Sequence, residues 1–290
     1  MVMVGGRHPV KAHYSVGFKS DGKITALHLD LLINAGISED ASPQIPGTVI
    51  SSVKKYNWGA LSFDIKLCKT NNTSKSVMRA PGDSQGSLIA DTIIEHVASM
   101  LLKPVMDRLQ LQSGNVSWDA LISQVEIDLL TGAITLLRGD LVYDCGKSLN
   151  PAVDLGQIEG SFIQGIGFFI YEEYLTNKDG LMISNSTWDY KIPSVDTIPK
   201  QFNAEVLNTG YHKHRVLSSK ASGEPALVLA SSVHCAVREA IRAARKEFPN
   251  STGNKNSRLV FQLDVPAPMT AVKELCGLDI VEKYLESIST

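Results

Sequence analysis

Cysteine is scarce: Cys68, Cys145, Cys235 and Cys276 are the only four in 290 residues, and no two form a C-x-x-C pair. That spacing offers neither a zinc knuckle nor an iron–sulfur ligand set, and dispersed thiols fit a reducing compartment. Excess charge is equally lacking, with 28 Lys and Arg against 30 Asp and Glu for a net of −2. Without a basic run to meet successive phosphates, nucleic acid is not an expected partner. Long apolar runs are also missing. The richest, Phe162 to Tyr174, is broken by Gln164, Glu172 and Glu173, well short of the ~18 apolar residues that span a bilayer. No leader-like segment opens the sequence, so the expectation is a cytoplasmic chain with no membrane partner. Common chemistry motifs are absent too: there is no G-x-G-x-x-G after a strand, no phosphate-binding P-loop, no H-E-x-x-H and no G-x-S-x-G. The seven histidines form no cluster at ligand spacing, so no metal ligand is read among the side chains.

What is present fits a folded chain, with 43% hydrophobic and 20% charged residues. The length allows about two domains. A hairpin is expected where Tyr14–Phe18 and Ile24–Asn34 flank Asp21-Gly22, with Leu27, Leu29, Leu31 and Ile33 alternating onto one face. Further hairpins are expected around Thr131-Gly132, from 125 to 144, and around Asp179-Gly180, from 173 to 190. Helical periodicity covers about 84–101, with Asp83 placed to cap it and Ile89, Ile93, Val97, Met100 and Leu101 on one stripe. A second helix, about 157–171, carries Ile158, Phe162, Ile166 and Phe169 on one side. Its glycines at 156, 160, 165 and 167 each cost roughly 1 kcal/mol against Ala, so a close approach by backbone or ligand should offset them. The longest helix is expected from Pro225 to about 248. Hairpins alternating with separate helices predict an α+β fold, with no internal sequence repeat. His234-Cys235 and Cys145 read as packed core residues.

Two loops place a charged residue among small ones just before a helix: Met78-Arg79-Ala80-Pro81-Gly82 and Ser219-Lys220-Ala221-Ser222-Gly223-Glu224-Pro225. Unsatisfied amides at helix starts attract anionic ligands. Taken alone, Glu224 reads first as a helix cap and Arg79 first as a surface ion pair.

The strings GGRHPVKAHYSVGF (5–18), KLCKTNNTSKSVMRAPGDSQGSLIAD (66–91), YDCGKSLNPAVDLGQIEGSFIQGIGFF (143–169), YKIPSVDTIPKQFN (190–203) and SSKASGEPALVLASSVHCAVREAIRAAR (218–245) resemble, in order, the molybdenum-binding region of the xanthine dehydrogenase and aldehyde oxidase family. RAPGDSQG and KELCGLD are most similar to the plant aldehyde oxidases. The resemblance implies a molybdenum–molybdopterin cofactor and oxidation of an aldehyde to a carboxylic acid with water as the oxygen source. It implies that Glu224 is the catalytic glutamate that deprotonates a hydroxide ligand of molybdenum while hydride passes to a sulfido ligand, a role suited to a carboxylate beside an acidifying metal. It makes Arg79 and Gln157 cofactor-binding, Arg79 through backbone beside the metal's oxo ligand and Gln157 through a hydrogen bond to the pterin. Pro81 stands where xanthine dehydrogenases carry a phenylalanine against the purine, and Gly47 where they carry a substrate-binding arginine. Both differences favour a small aldehyde over xanthine.

The chain is expected to hold part of a first molybdenum-binding domain (1–100) and part of a second (101–290), with internal deletions near 100/101 and 123/124 as departures from the family pattern. The cofactor-gripping G-Q-G-L and Gly-Ser-Thr-rich segments have no counterpart in this sequence, nor do the domains that carry the 2Fe-2S clusters and FAD in the full-length family. Exposed apolar surface is expected near 100–105 and near Gln124. Three readings follow: an aldehyde-oxidising region active in a longer form or complex, an inactive truncated product that pairs with full-length aldehyde oxidase or with itself, or a small-molecule binding module.

Overall fold

Leu27, Leu29, Leu31 and Ile33 are all buried, because alternate side chains of one strand face one side of its sheet. That strand is the centre of the first of two small sheets. The computed structural model describes residues 5–101, 120–184, 186–207, 216–247, 260–277 and 288. Contacts divide the chain into two units, Met1–Val116 with Tyr174–Tyr190, and Ser117–Glu173 with Lys191–Thr290.

In the first unit, β1 (Val10–Phe18) and β2 (Ile24–Gly36) form the expected antiparallel hairpin. Helix α1 (Ile45–Val53) then crosses to β3 (Ala60–Lys69), which pairs parallel to β2. Helix α2 (Asp83–Met100) follows. Ile45, Val49 and Val53 of α1 and Ala90, Ile93 and Ile94 of α2 join the buried face of β2 in one core. Asp83 does not cap α2. Gly82 holds the cap position with φ 79°, and the Asp83 carboxylate instead accepts a hydrogen bond from Ser52 and faces Lys55 at 3.8 Å. Met100 leaves its expected stripe and is 58% exposed.

The Asp179-Gly180 turn forms only a short ladder around the Thr176–Met182 bridge, not a hairpin over the whole of 173–190. Its segment belongs to the first unit because side chains tie it there. The Lys75 ammonium lies 4.2 Å from the centre of the Tyr174 ring, Thr73 and Tyr174 share a 2.7 Å hydrogen bond, and Asn71 and Asn72 donate to the carbonyls of Lys178 and Gly180. Lys75 is buried, and burial holds its pKa below the ordinary lysine range.

The second unit repeats the element order of the first. Strands β4 (Ala120–Ile127) and β5 (Ile134–Asp144) make a hairpin, α3 (Pro151–Ile166) crosses over, β6 (Gln201–Leu207) pairs parallel to β5, and helices return. The sequence shows no matching repeat, since topology constrains only burial pattern and turns. Strand β4 runs through the expected junction at 123/124 with a register shift between Gln124 and Val125, and its Ile122 is 72% exposed. Residues 102–105, where apolar exposure was also expected, lie outside the described residues. Asn150 caps α3 by accepting from the Val153 amide at 3.3 Å. Ile158, Phe162, Ile166 and Phe169 are buried as expected, and Phe162 stacks on Phe202 of β6 at 5.1 Å. The last turn, Gly167–Tyr171, widens to a π-helix.

The expected single helix from Pro225 is two, α4 (Pro225–Leu229) and α5 (Ser231–Glu247), parted at the buried Ala230. A Cβ on Gly165 of α3 would lie 2.5 Å from Ala230 Cβ and 2.6 Å from the Leu227 carbonyl oxygen, so the break follows a close crossing of α3 and α4. Helix α6 (Met269–Cys276) ends the described chain apart from residue 288. Among the described residues, no helix is long and apolar enough to cross a membrane.

Candidate functional site

Both loops singled out by sequence sit at helix starts, one in each unit. In the first unit Arg79 is half-buried, and the Arg7 guanidinium donates to the carbonyls of Met78 at 3.2 Å and Arg79 at 2.6 Å. Ala80 follows with φ 56° and Gly82 with φ 79°. A left-handed alanine is sparsely populated and is held here by its surroundings, since Ala80 is buried and its carbonyl accepts from Ser84. Gly82 admits no side chain: a Cβ there would lie 1.9 Å from Thr48 Oγ1 on α1. The backbone at Arg79 is thus fixed by Arg7, a contact 72 residues away in sequence. Gly47, on the same helix as Thr48, is exposed, and a Cβ there would meet nothing within 4 Å.

In the second unit Glu224 is exposed at the cap position of α4, and its side chain makes no cap hydrogen bond. The capping alternative therefore falls away. Gln157 is exposed on α3 between Gly156 and Gly160, where an added Cβ would meet nothing within 4 Å. The four glycines of this helix thus divide. Gly165 sits at the crossing with Ala230, and Gly167 packs against Glu172 and Pro193, while Gly156 and Gly160 open a shallow track beside Gln157.

Glu224 and Gln157 both sit on elements rooted at one strand end. The Asp144 carboxylate at the end of β5 accepts from the Lys220 ammonium and from the Gly146 amide, each at 2.8 Å. Sequence reading missed Arg7, Asp144 and Lys220 as supports. Only their place inside motif strings could have marked them.

His234, read as core, is fully buried and held near neutral form, with its pKa pushed down to about 4 by burial and then by the neighbouring Arg238 charge. Cys145 is buried and burial pushes its thiol pKa up, which leaves it a poor nucleophile. Among the described residues, no group of three or more His, Cys, Asp or Glu could hold a metal ion. A shallow depression on the outer face of β1–β3, lined by Ser15, His28 and Ser62, contains none of the candidate site residues.

A family described as a molybdopterin cofactor-binding domain matches residues 1–116, and a second of the same description matches 82–199. An aldehyde oxidase-like protein of Oryza sativa subsp. japonica is 50% identical over 100% of this chain and 37% of its own length. An indole-3-acetaldehyde oxidase of Zea mays is 41% identical over the same shares. Aldehyde oxidoreductase of Desulfovibrio gigas has the same fold, with TM-score 0.69 at 12% identity over 93% of this chain and 49% of that one. The chain spans about 37% of the length of these plant relatives. Each plant alignment takes 494 positions against 290 residues, which leaves 204 without a counterpart in this chain. The fold and these matches define a cofactor-binding region of a molybdenum hydroxylase. The chain belongs to the xanthine dehydrogenase and aldehyde oxidase family. The plant relatives reported above are an aldehyde oxidase-like protein and an aldehyde oxidase.

The residues present fit the pterin group of that family on one structural ground. The Gly156–Gly160 track is open, both glycines are exposed, and Gln157, also exposed, carries an amide side chain next to it. Filling this track tests the fit. Gly160→Leu should keep or raise thermal stability, since the site is open and Gly costs a helix roughly 1 kcal/mol, yet the variant should no longer retain molybdopterin. Differential scanning calorimetry and pterin fluorescence after acid release read the two effects separately.

Proposed function

We propose that the chain is the cofactor-holding part of an aldehyde-oxidising molybdenum hydroxylase, with Glu224 as catalytic base and Arg79 and Gln157 as cofactor contacts. The open glycine track beside Gln157 carries this reading, because a helix keeps such destabilising residues to admit a neighbour and none of the described residues fills the space. The molybdenum–molybdopterin group supplies the redox chemistry and a water-derived oxygen when bound. Gln157 orients the pterin edge by hydrogen bonding. The Arg79 backbone, fixed by Arg7, presents a rigid surface at the head of α2. Glu224 accepts the proton released as oxygen adds to the substrate carbon. Its carboxylate is exposed and serves no helix cap, so capping does not compete for it. Open space at Gly47 leaves no charged side chain to anchor an anionic or purine substrate from that position, in keeping with a small neutral aldehyde.

A second reading draws on the 204 unmatched alignment positions. In it the chain is inactive alone and pairs with full-length aldehyde oxidase. Metal analysis of chain purified from cells that make molybdopterin separates the two: close to one molybdenum per chain supports the first, and none refutes it. Co-purification with a full-length subunit supports the second.

A further inference from the structure

We infer that the Asp144–Lys220 ion pair is the device that positions Glu224, an inference that rests on the base role proposed above. Three contacts fasten the Glu224 loop to the end of β5 besides the ion pair. The Tyr143 hydroxyl donates to the Ala221 carbonyl at 2.5 Å, the Lys220 amide donates to the Cys145 carbonyl at 2.9 Å, and the Lys147 amide donates to the Ser218 carbonyl at 2.9 Å; the last two make the antiparallel bridge between Gly146 and Ser219. Gly146, at φ 68°, is obligatory in this fastening, because a Cβ there would sit 2.3 Å from the Ser218 carbonyl oxygen.

The pair itself is shielded, with the Lys220 side chain 12% and the Asp144 side chain 7% exposed. A solvent-exposed pair fixes little, but one screened from water enforces its geometry. Asp144 spends its second oxygen on the Gly146 amide, so the carboxylate is locked at both ends. The same strand end leads through Ser148, whose hydroxyl donates to Asp154 at 2.6 Å, to the Asn150 cap of the helix bearing Gln157. Asp144 therefore references the base loop and the cofactor helix to one point. Lys220 stands four residues before Glu224 and touches no proposed reacting atom, so it is a positioning residue.

Backbone hydrogen exchange of the 290-residue chain tests this, using Lys220→Arg, Lys220→Met and the double variant Asp144→Asn/Lys220→Met. The double variant leaves no orphan buried carboxylate, so it reports even where Lys220→Met alone does not fold. Amides of residues 219–224 should exchange at least about tenfold faster in Lys220→Met and in the double variant, while β5 and α5 keep their protection. Lys220→Arg should stay near the parent. Unchanged exchange in 219–224, or an equal loss across the whole unit, overturns the inference. In molybdopterin-loaded protein the double variant should lower kcat by about 100-fold with KM nearly unchanged, as a small misplacement of a catalytic group does. An unchanged kcat, with Glu224→Gln inactive, overturns the positioning role and spares the proposed function. Retained turnover in Glu224→Gln, or no molybdenum uptake, sinks the proposed function instead, and the exchange measurement still decides the positioning role.

Discussion

Glu224→Gln in molybdopterin-loaded protein should reduce aldehyde turnover by about 10²–10⁴-fold, the range general-base catalysis contributes. Glutamine matches glutamate in size and can still accept a hydrogen bond, but it takes no proton at the pH of the reaction. The variant should fold normally, because Glu224 is exposed and its side chain makes no cap hydrogen bond at the start of α4. Molybdenum content measured by mass spectrometry should match the parent, since the cofactor contacts proposed here are Arg79 and Gln157. The loss should fall on kcat with KM little changed, which is the pattern for an interaction made in the transition state. Turnover equal to the parent at equal molybdenum content would refute the assignment.

Much of the fold was legible where local pattern and burial coincide. The Leu27–Ile33 alternation and the Ile158–Phe169 stripe both face cores as their periods demand. What was not legible depends on partners distant in sequence. Strands β3 and β6 join their sheets in parallel after a helical crossover, so no tight turn announces either pairing. The break at Ala230 has no Gly or Pro behind it. It follows from Gly165 on another helix. Asp83 obeys the sequence rule for a cap, yet the left-handed turn at Gly82 gives that glycine the cap position and Ser52 binds the carboxylate.

The candidate site divides in the same way. Glu224, Arg79 and Gln157 were named through resemblance, and the structure adds a local feature at each: no cap hydrogen bond from Glu224, an anchored backbone at Arg79, open space at the glycines beside Gln157. The residues that hold them were invisible, since Lys220 and Asp144 are 76 positions apart and Arg7 and Arg79 are 72 apart. Charge count and composition carry no information about such pairs.

Acid should weaken the second unit as pH falls from 6.5 toward about 4, and His234 is the reason. In α5 its ring is fully buried, with Nε2 3.1 Å from the Asp264 carbonyl, Arg238 Nη2 3.3 Å from Nδ1, and Phe169 on a flank. The proton therefore sits on Nε2, which donates to the carbonyl, while Nδ1 accepts from Arg238. Burial first and the Arg238 charge second lower its pKa from 6.5 to about 4. The unfolded chain then binds a proton that the folded chain refuses, so stability is full above pH 6.5 and falls as pH drops toward about 4. At 1.36 kcal/mol per pH unit this loss is about 3 kcal/mol. His8 in the first unit, its pKa also lowered by burial and then by Lys75, shifts stability in the same direction. Asp128 and Asp140, whose pKa values lie below the usual carboxylate value, act only at still lower pH. Urea unfolding monitored at residues of α5 between pH 7 and pH 4.5 should show the slope, and His234→Gln, though less stable at neutral pH, should flatten it. An unaltered slope in that variant would place the acid sensitivity elsewhere in the unit.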